Sequence, residues 1–363
     1  MTMLEARPDE TVLDPQRLRR VRKSYTTRHA AAELDRAPEG YHLRAGDGVV
    51  PRPGDLVVAR VLEIGKHTRL EGPGSRRQLL FPGQEVLLAY GDRYAPDQFL
   101  ARVPPDLRPC HLVAAGGLAG TVLEKHDHID DPTTIQPLGL LADADGVVTL
   151  ARHAPHSPAP ARPRVHTPTV VAVLGTSMNS GKSTTLACLV NGLTNAGLVV
   201  SAGKVTGTGA GNDTHLFRDA GATRALDFTD FGLPSTFGLA PDRVRELWSS
   251  LLATLAMDAP DVVVVEIADG VLQRETSRLL AAIGRDVDTV VFAAQDALGA
   301  TAGAAELQRH GLDVAAVSGV LTASPLAARE ARAALPVPLV DTHDLCVPGT
   351  ALRTTGLDGR GTG

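Results

Sequence analysis

The chain of 363 residues carries 36 Lys and Arg against 41 Asp and Glu, a formal net charge of -5, with 43% hydrophobic and 3% aromatic residues. Its length and apolar content support two cores, whereas the weak charge and scarce aromatics speak against a dedicated nucleic-acid binder. Cys110, Cys188 and Cys346 are too far apart in sequence to suggest a disulfide scaffold, no signal segment opens the chain, and no apolar run reaches the roughly 18 residues that cross a bilayer. A cytoplasmic location without membrane contact is expected.

The elements follow in chain order. Asp14-Pro15 is a helix start, with a capping carboxylate and proline in the first turn, and Leu18, Val21 and Tyr25 follow at helical spacing. Arg17, Arg19, Arg20, Arg22 and Lys23 make its other face basic, either as a solvated face packing on its own protein or as a contact for an acidic partner. Residues 1–40 are therefore assigned to a basic helix or arm. Residues 41–152 hold short apolar runs broken by Gly and Pro, at 55–64, 78–81, 86–90 and 146–150, and are expected to form a smaller, mostly β domain. Within it, residues 90–99 form a polar loop rich in aromatics. The stretch 124–131, with His126 and His128, reads as a polar loop in preference to a metal site, and Cys110-His111, beside the apolar and glycine-rich stretch 112–120, is not read as a nucleophile, which would need a base and an oxyanion site.

Residues 153–168 are proline-rich and are expected to be an extended linker. From 169 to 345 strand and helix alternate. Buried strands are expected at 198–202, 262–267, 287–293, 314–321 and 337–340, and a helix at 241–257 that buries Val244, Leu247, Trp248, Leu251, Leu252 and Leu255. This is an α/β pattern, a parallel sheet flanked by helices with ligands at the carboxyl ends of the strands. The last residues, 346–363, are expected to be a flexible tail.

The sharpest signal is the passage from the apolar run 170–174 through Gly175, Thr176, Ser177, Met178, Asn179, Ser180, Gly181, Lys182, Ser183 and Thr184 into a helix marked by Leu186, Leu189, Val190 and Leu193. Such a loop turns main-chain amides around an anion at the positive end of a helix, Lys182 supplies charge to the outer phosphates, and Ser183 supplies a hydroxyl for magnesium. A magnesium site also needs carboxylates. Glu266 ends the apolar run 262–265, with Asp269 as its competitor, and Asp213 closes the glycine-rich segment 202–213 that contains Lys204. ATP and Mg2+ are the expected ligands. ATP is preferred to GTP because Leu321-Thr322-Ala323-Ser324 stands where guanine-reading proteins carry Asn-Lys-x-Asp.

The segment from Gly175 to Ser183 resembles the Gly-Thr-Asp-Thr-Gly-Val-Gly-Lys-Thr loop of dethiobiotin synthetase, including the spacing of its glycines. Lys204 then resembles that family's substrate lysine, Asn212-Asp213 its magnesium site, and Glu266 its sheet-edge glutamate. The resemblance covers about 167–340 and implies the SIMIBI class of P-loop NTPases, which includes MinD-like ATPases. A two-domain layout with a C-terminal phosphate-loop domain also resembles an uncharacterised protein family. The departures are Thr176 in place of the first glycine of the usual loop and Ile267-Ala268-Asp269-Gly270 after Glu266. The resulting expectation is an enzyme that uses Mg-ATP to activate or phosphorylate a small-molecule substrate, with Lys182 and Lys204 catalytic, a homodimer compatible and nucleic acid disfavoured. The alternative is a switch ATPase whose nucleotide state controls a protein or nucleic-acid partner.

Overall fold

A computed structural model describes residues 9–158 and 167–359. Half of the expected linker, residues 159–166, lies outside the described residues. The chain divides into two compact units, and the division is not a single cut. One unit takes residues 9–157 together with Thr208–Gly211 and Phe228–Phe237; the other takes 167–207, Asn212–Asp227 and 238–359.

The first unit is built on an eleven-stranded sheet. At its centre Leu56–Glu63 pairs antiparallel with both Glu85–Tyr90 and Thr133–Asp143, in the registers Leu56↔Ala89 and Val57↔Leu140. Successive residues of a strand face opposite sides, and here both sides are covered. Leu56, Val58, Leu87 and Leu141 join one buried cluster, while Val57, Val61, Val86, Leu88 and Ile135 join another. That is why residues 56–59 are continuously apolar and buried instead of alternating.

The amino-terminal segment differs from the expected arm. Its helix covers only Pro15–Arg20, capped by the Asp14 carboxylate, which accepts from the Gln16 and Arg17 amides. A second helix, Arg28–Arg36, buries Ala30, Ala31 and Leu34. Leu13, Leu18, Val21 and Leu34 share the cluster of Leu56 and Val58, so this segment belongs to the β-rich core. Part of its basic face is bound inside the unit: Arg17 is bidentate to Glu85, and the buried Lys23 ammonium donates to the Leu18 carbonyl and pairs with Asp35. Cys110 is wholly buried and its thiol is pushed up to about 12 by that burial, which removes it from nucleophilic chemistry.

His67 lies 8% exposed, its ring centroid 5.8 Å from that of Phe99, and burial holds its pKa down to about 3. Folded protein therefore keeps the imidazole neutral where unfolded chain binds a proton, so stability is full above about pH 6.5 and is lost as the pH falls toward 3. We expect this group to contribute on the order of 3–5 kcal/mol to acid unfolding of the β-rich unit. Urea melts of wild type and His67→Phe at pH 7 and pH 4 test this; equal losses in the two proteins would refute it.

The second unit has a six-stranded, all-parallel sheet. Its strands are β1 (Thr169–Gly175), β2 (Val200–Lys204), β3 (Arg224–Asp227), β4 (Val262–Glu266), β5 (Thr289–Ala293) and β6 (Val314–Ser318), in the order β3-β2-β4-β1-β5-β6. The helices are α1 (Lys182–Asn195), α2 (Asn212–Asp219), α3 (Pro241–Leu255), α4 (Arg274–Ile283), α5 (Ala297–Arg309), α6 (Pro325–Ala334) and α7 (Pro348–Thr355). This is the expected α/β class, and the expected β-rich domain precedes it. Trp248 on α3 is a core residue whose indole donates to Asp286 at 3.0 Å.

Two segments differ from expectation. Residues 337–340 make one bridge, Val317↔Leu339, because Pro336 and Pro338 have no amide to extend a ladder. The segment assigned to a flexible tail forms α7, and Ala351 and Leu357 join the core of Leu186 and Leu193. A Cβ at Gly192 on α1 would meet the Leu345 carbonyl at 2.0 Å and the Ala351 side chain at 2.8 Å, so helix-spaced apolar residues dock there despite the glycine-rich composition.

Candidate functional site

β1 feeds directly into the turn 176–181 and then α1, and the backbone of that turn is specialised. Asn179 and Gly181 adopt positive φ, 60° and 93°, which folds the loop back over the helix start. A Cβ at Gly175 would meet the Ser180 hydroxyl at 2.2 Å and the Lys182 side chain at 2.8 Å, so glycine is required where the loop turns closest on itself. The loop is braced from β5 and β6. The Val320 amide donates to the Ser180 carbonyl at 3.0 Å, and the Gln295 side chain donates to the Met178 carbonyl at 3.0 Å. Sequence reasoning missed Gln295 and Gly319; the signal for the latter was a glycine directly after a strand, here at φ 97°.

Lys182 is 6% exposed and its ammonium donates to the Ser177 carbonyl at 2.7 Å, curled over the loop. Burial lowers its pKa, and the Glu266 charge acts most strongly against that shift. Glu266 ends β4, where it is register partner to both Lys204 of β2 and Val173 of β1. Lys204 pairs with Asp213, in the first turn of α2, and stands 3.5 Å from Glu266. Burial opposes the charge on Lys204, yet the Asp213 and Glu266 carboxylates raise its pKa. Asp213 is held low by Lys204 against its burial, whereas burial raises Glu266. The Ser183 hydroxyl favours the charged form of both carboxylates.

The structure thus gathers Lys182, Ser183, Lys204, Asp213 and Glu266 at the carboxyl ends of β1, β2 and β4. Asp269 also acts electrostatically on both lysines. Thr184 points outward, and Thr176, Ser177 and Met178 are half-buried along the loop. Thr206, unforeseen from sequence, donates to the Ala268 carbonyl, which also accepts from Thr276 at 3.1 Å. Gly270 lies so close to the loop that a Cβ there would meet the Thr176 carbonyl at 2.4 Å.

A polyphosphate with its metal fits these residues. Among the described residues, the buried Thr176 and Ser180 hydroxyls and Glu266 Oε2 have no hydrogen-bond partner, and buried polar groups in native proteins are paired. Loop amides and Lys182 would hold phosphate, and Ser183 with Asp213 and Glu266 would hold a magnesium ion or its waters.

The segment between Lys204 and Asp213 has a second attachment. Thr208–Gly211 belongs to the β-rich unit, where the Gly211 amide donates to the buried Glu71 carboxylate at 3.0 Å. A Cβ at Gly211 would meet Ser75 Oγ at 1.9 Å and Tyr25 at 2.6 Å; one at Gly209 would meet Thr26 at 2.8 Å. The glycines read from sequence as permitting close approach by a ligand are closely approached by protein. Phe228–Phe237 belongs to that unit too, with Asp230 accepting from Arg28 and from His29, and Phe237 beneath Arg102 at 4.5 Å.

The parallel sheet, its strand-loop-helix turn and the lysine, hydroxyl and carboxylates at its edge define a P-loop NTPase. No family model and no curated protein matches the chain. Solved structures similar to it include the signal recognition particle receptor FtsY from Elizabethkingia anophelis in complex with GDP, at 15% identity over 56% of this chain and 69% of that one, TM-score 0.33. Another is the 54 kDa signal recognition particle protein from Aeropyrum pernix K1 in complex with GDP, at 20% identity over 57% of this chain and 51% of that one, TM-score 0.35. These are a particle protein and its receptor and not small-molecule synthetases. Neither the expected small-molecule substrate nor the expected disfavour of nucleic acid is matched by these neighbours, and the site itself corrects the first: Lys204, expected to hold an acceptor, is taken up by Asp213 and Glu266.

Proposed function

We propose that the protein is a nucleotide-dependent switch, in which the state of the P-loop governs a macromolecular partner of the β-rich unit. The observation that carries this is the path of the chain between Lys204 and Asp213. Two residues assigned to the outer phosphate and metal are joined by a segment, residues 205–212, of which four, Thr208–Gly211, are fixed in the other unit. A change in the charge around Lys204 and Asp213 when a phosphate is gained or lost pulls on that connection directly. Lys182 and the amides of residues 175–184 bind the phosphates, Ser183, Asp213 and Glu266 serve the metal, and Lys204 senses the outer phosphate. The triphosphate is read as ATP from Leu321-Thr322-Ala323-Ser324, and titrating ATP and GTP in parallel decides the base.

Hydrogen exchange in the apo, diphosphate and non-hydrolysable triphosphate states tests the switch. Expected is a change in protection at residues 208–213 and 228–237 that follows the outer phosphate, and its loss in Glu71→Ala, which removes the acceptor of the Gly211 amide. Identical exchange in those segments in all three states would refute the reading.

A further inference from the structure

The β-rich unit carries a second charged feature, remote in sequence from the P-loop. Residues Arg69–Glu71 and Arg77–Leu79 form a two-stranded antiparallel ribbon with Arg69 opposite Leu79 and Glu71 opposite Arg77. Buried Leu70 anchors it, and its turn is closed by the Ser75 amide donating to the Gly72 carbonyl at 2.8 Å and the Gly72 amide to the Arg76 carbonyl at 3.0 Å. Beside this ribbon lies a depression of about 400 Å³ lined by Arg22, Arg69, Arg76, Arg77, Leu79 and Phe81, and by no carboxylate. Arg22 donates to the Leu79 carbonyl at 2.8 Å, which fixes its guanidinium at the wall. Arg69, Arg76 and Arg77 are exposed and form no ion pair among the described residues.

Four guanidinium groups beside one another repel, and a chain of net charge -5 has carboxylates available to neutralise them. Two acids of the same unit are committed elsewhere: Glu71, on the ribbon itself, is buried and accepts from Gly211, and Glu85 is taken by Arg17 and Arg60. Phe81 and Leu79, 55% and 54% exposed, stand in the same depression. Guanidinium forks match phosphate oxygens, and guanidinium planes and a phenyl ring both accept stacked bases. A duplex hides its base faces, whereas a single strand presents them. A lipid surface would engage the arginines as well but would leave an aromatic-walled hollow without a specific use.

We infer that this arginine-lined hollow binds single-stranded nucleic acid, phosphates on Arg69, Arg76 and Arg77 and a base against Phe81. The inference names the partner class that the switch reading leaves open, yet it stands on the β-rich unit alone.

The test uses the full chain and labelled oligo(U) and oligo(dT), followed by fluorescence anisotropy across a salt series. Three to four phosphate contacts predict a slope of log K against log salt of roughly -2 to -3 for a single strand. Combining Arg69→Ala, Arg76→Ala and Arg77→Ala is expected to weaken binding at least about tenfold and flatten that slope. The three side chains are exposed, so the fold is retained, and replacement of all three by Lys, which keeps phosphate charge, should recover most of the salt slope. Phe81→Ala should weaken binding without changing the slope. Equal affinity of the wild type and the triple alanine variant would overturn the inference. So would capture of phosphatidylserine vesicles or inorganic phosphate with no oligonucleotide bound. Adding nucleotide tests the switch separately: oligonucleotide affinity lost in the arginine variant but indifferent to nucleotide state upholds this surface and counts against the switch.

Discussion

Lys182→Ala is expected to lower triphosphate affinity about a hundredfold and to abolish measurable hydrolysis, while the protein stays folded. In the structure the Lys182 ammonium lies on the Ser177 carbonyl at the centre of the loop, largely removed from water. A charge-assisted hydrogen bond to phosphate in such a setting is worth roughly 1.5–3 kcal/mol, or about one to two decades in binding. A cation placed where charge develops contributes a further ~10²–10³ to rate. The folded state does not depend on it to the same degree, because burial already lowers its pKa. Isothermal titration with ATP and GTP, together with phosphate release, measures both quantities. Unaltered nucleotide binding in this variant would remove the P-loop from the account.

Glu266→Gln is expected to separate hydrolysis from binding. The side chain is 1% exposed, Oε2 has no partner among the described residues, and Lys204 stands 3.5 Å from Oε1. Glutamine keeps the volume and removes the charge, so hydrolysis should fall by about 10²–10³ while nucleotide affinity changes far less. Asp269→Asn, at the competing position, should have a smaller effect. Stability should hold or rise in Glu266→Gln, because Lys204 keeps Asp213 and an incompletely paired buried carboxylate is lost. The sign in pH is consistent: burial raises the Glu266 pKa, so its ionisation costs stability above the ordinary carboxylate range and that cost fades as pH falls. Hydrolysis at the wild-type rate in Glu266→Gln would assign the metal-side carboxylate elsewhere.

Much of the site was legible because its chemistry is local. An apolar run followed by a small polar loop and Gly-Lys-Ser constrains backbone, charge and hydroxyl within about a dozen residues, and a carboxylate closing the run 262–265 must emerge at a sheet edge. Lys204 and Asp213 were read as site residues but not as an ion pair, since nothing in sequence fixes the distance between two side chains nine positions apart across a glycine-rich loop. That loop was misread for the same reason. Glycine signals that something comes close, and only Glu71, Ser75, Tyr25 and Thr26 reveal that the neighbour is protein. The carboxyl-terminal segment was judged by its glycines and threonines, whereas the spacing of Ala351 and Leu352 with Leu357 carried the relevant information.

By itself the sequence determined the class of each unit and the strand-loop-helix turn at residues 175–184, because hydrophobic periodicity and short-range motifs follow from covalent neighbours. The tertiary structure alone decided that Thr208–Gly211 and Phe228–Phe237 belong with the β-rich unit, and that Arg22 joins a ribbon some fifty residues away. It likewise decided which carboxylate receives which lysine. Those outcomes depend on desolvation and on contacts between distant segments, and burial, unlike periodicity, exists only once the chain has closed on itself.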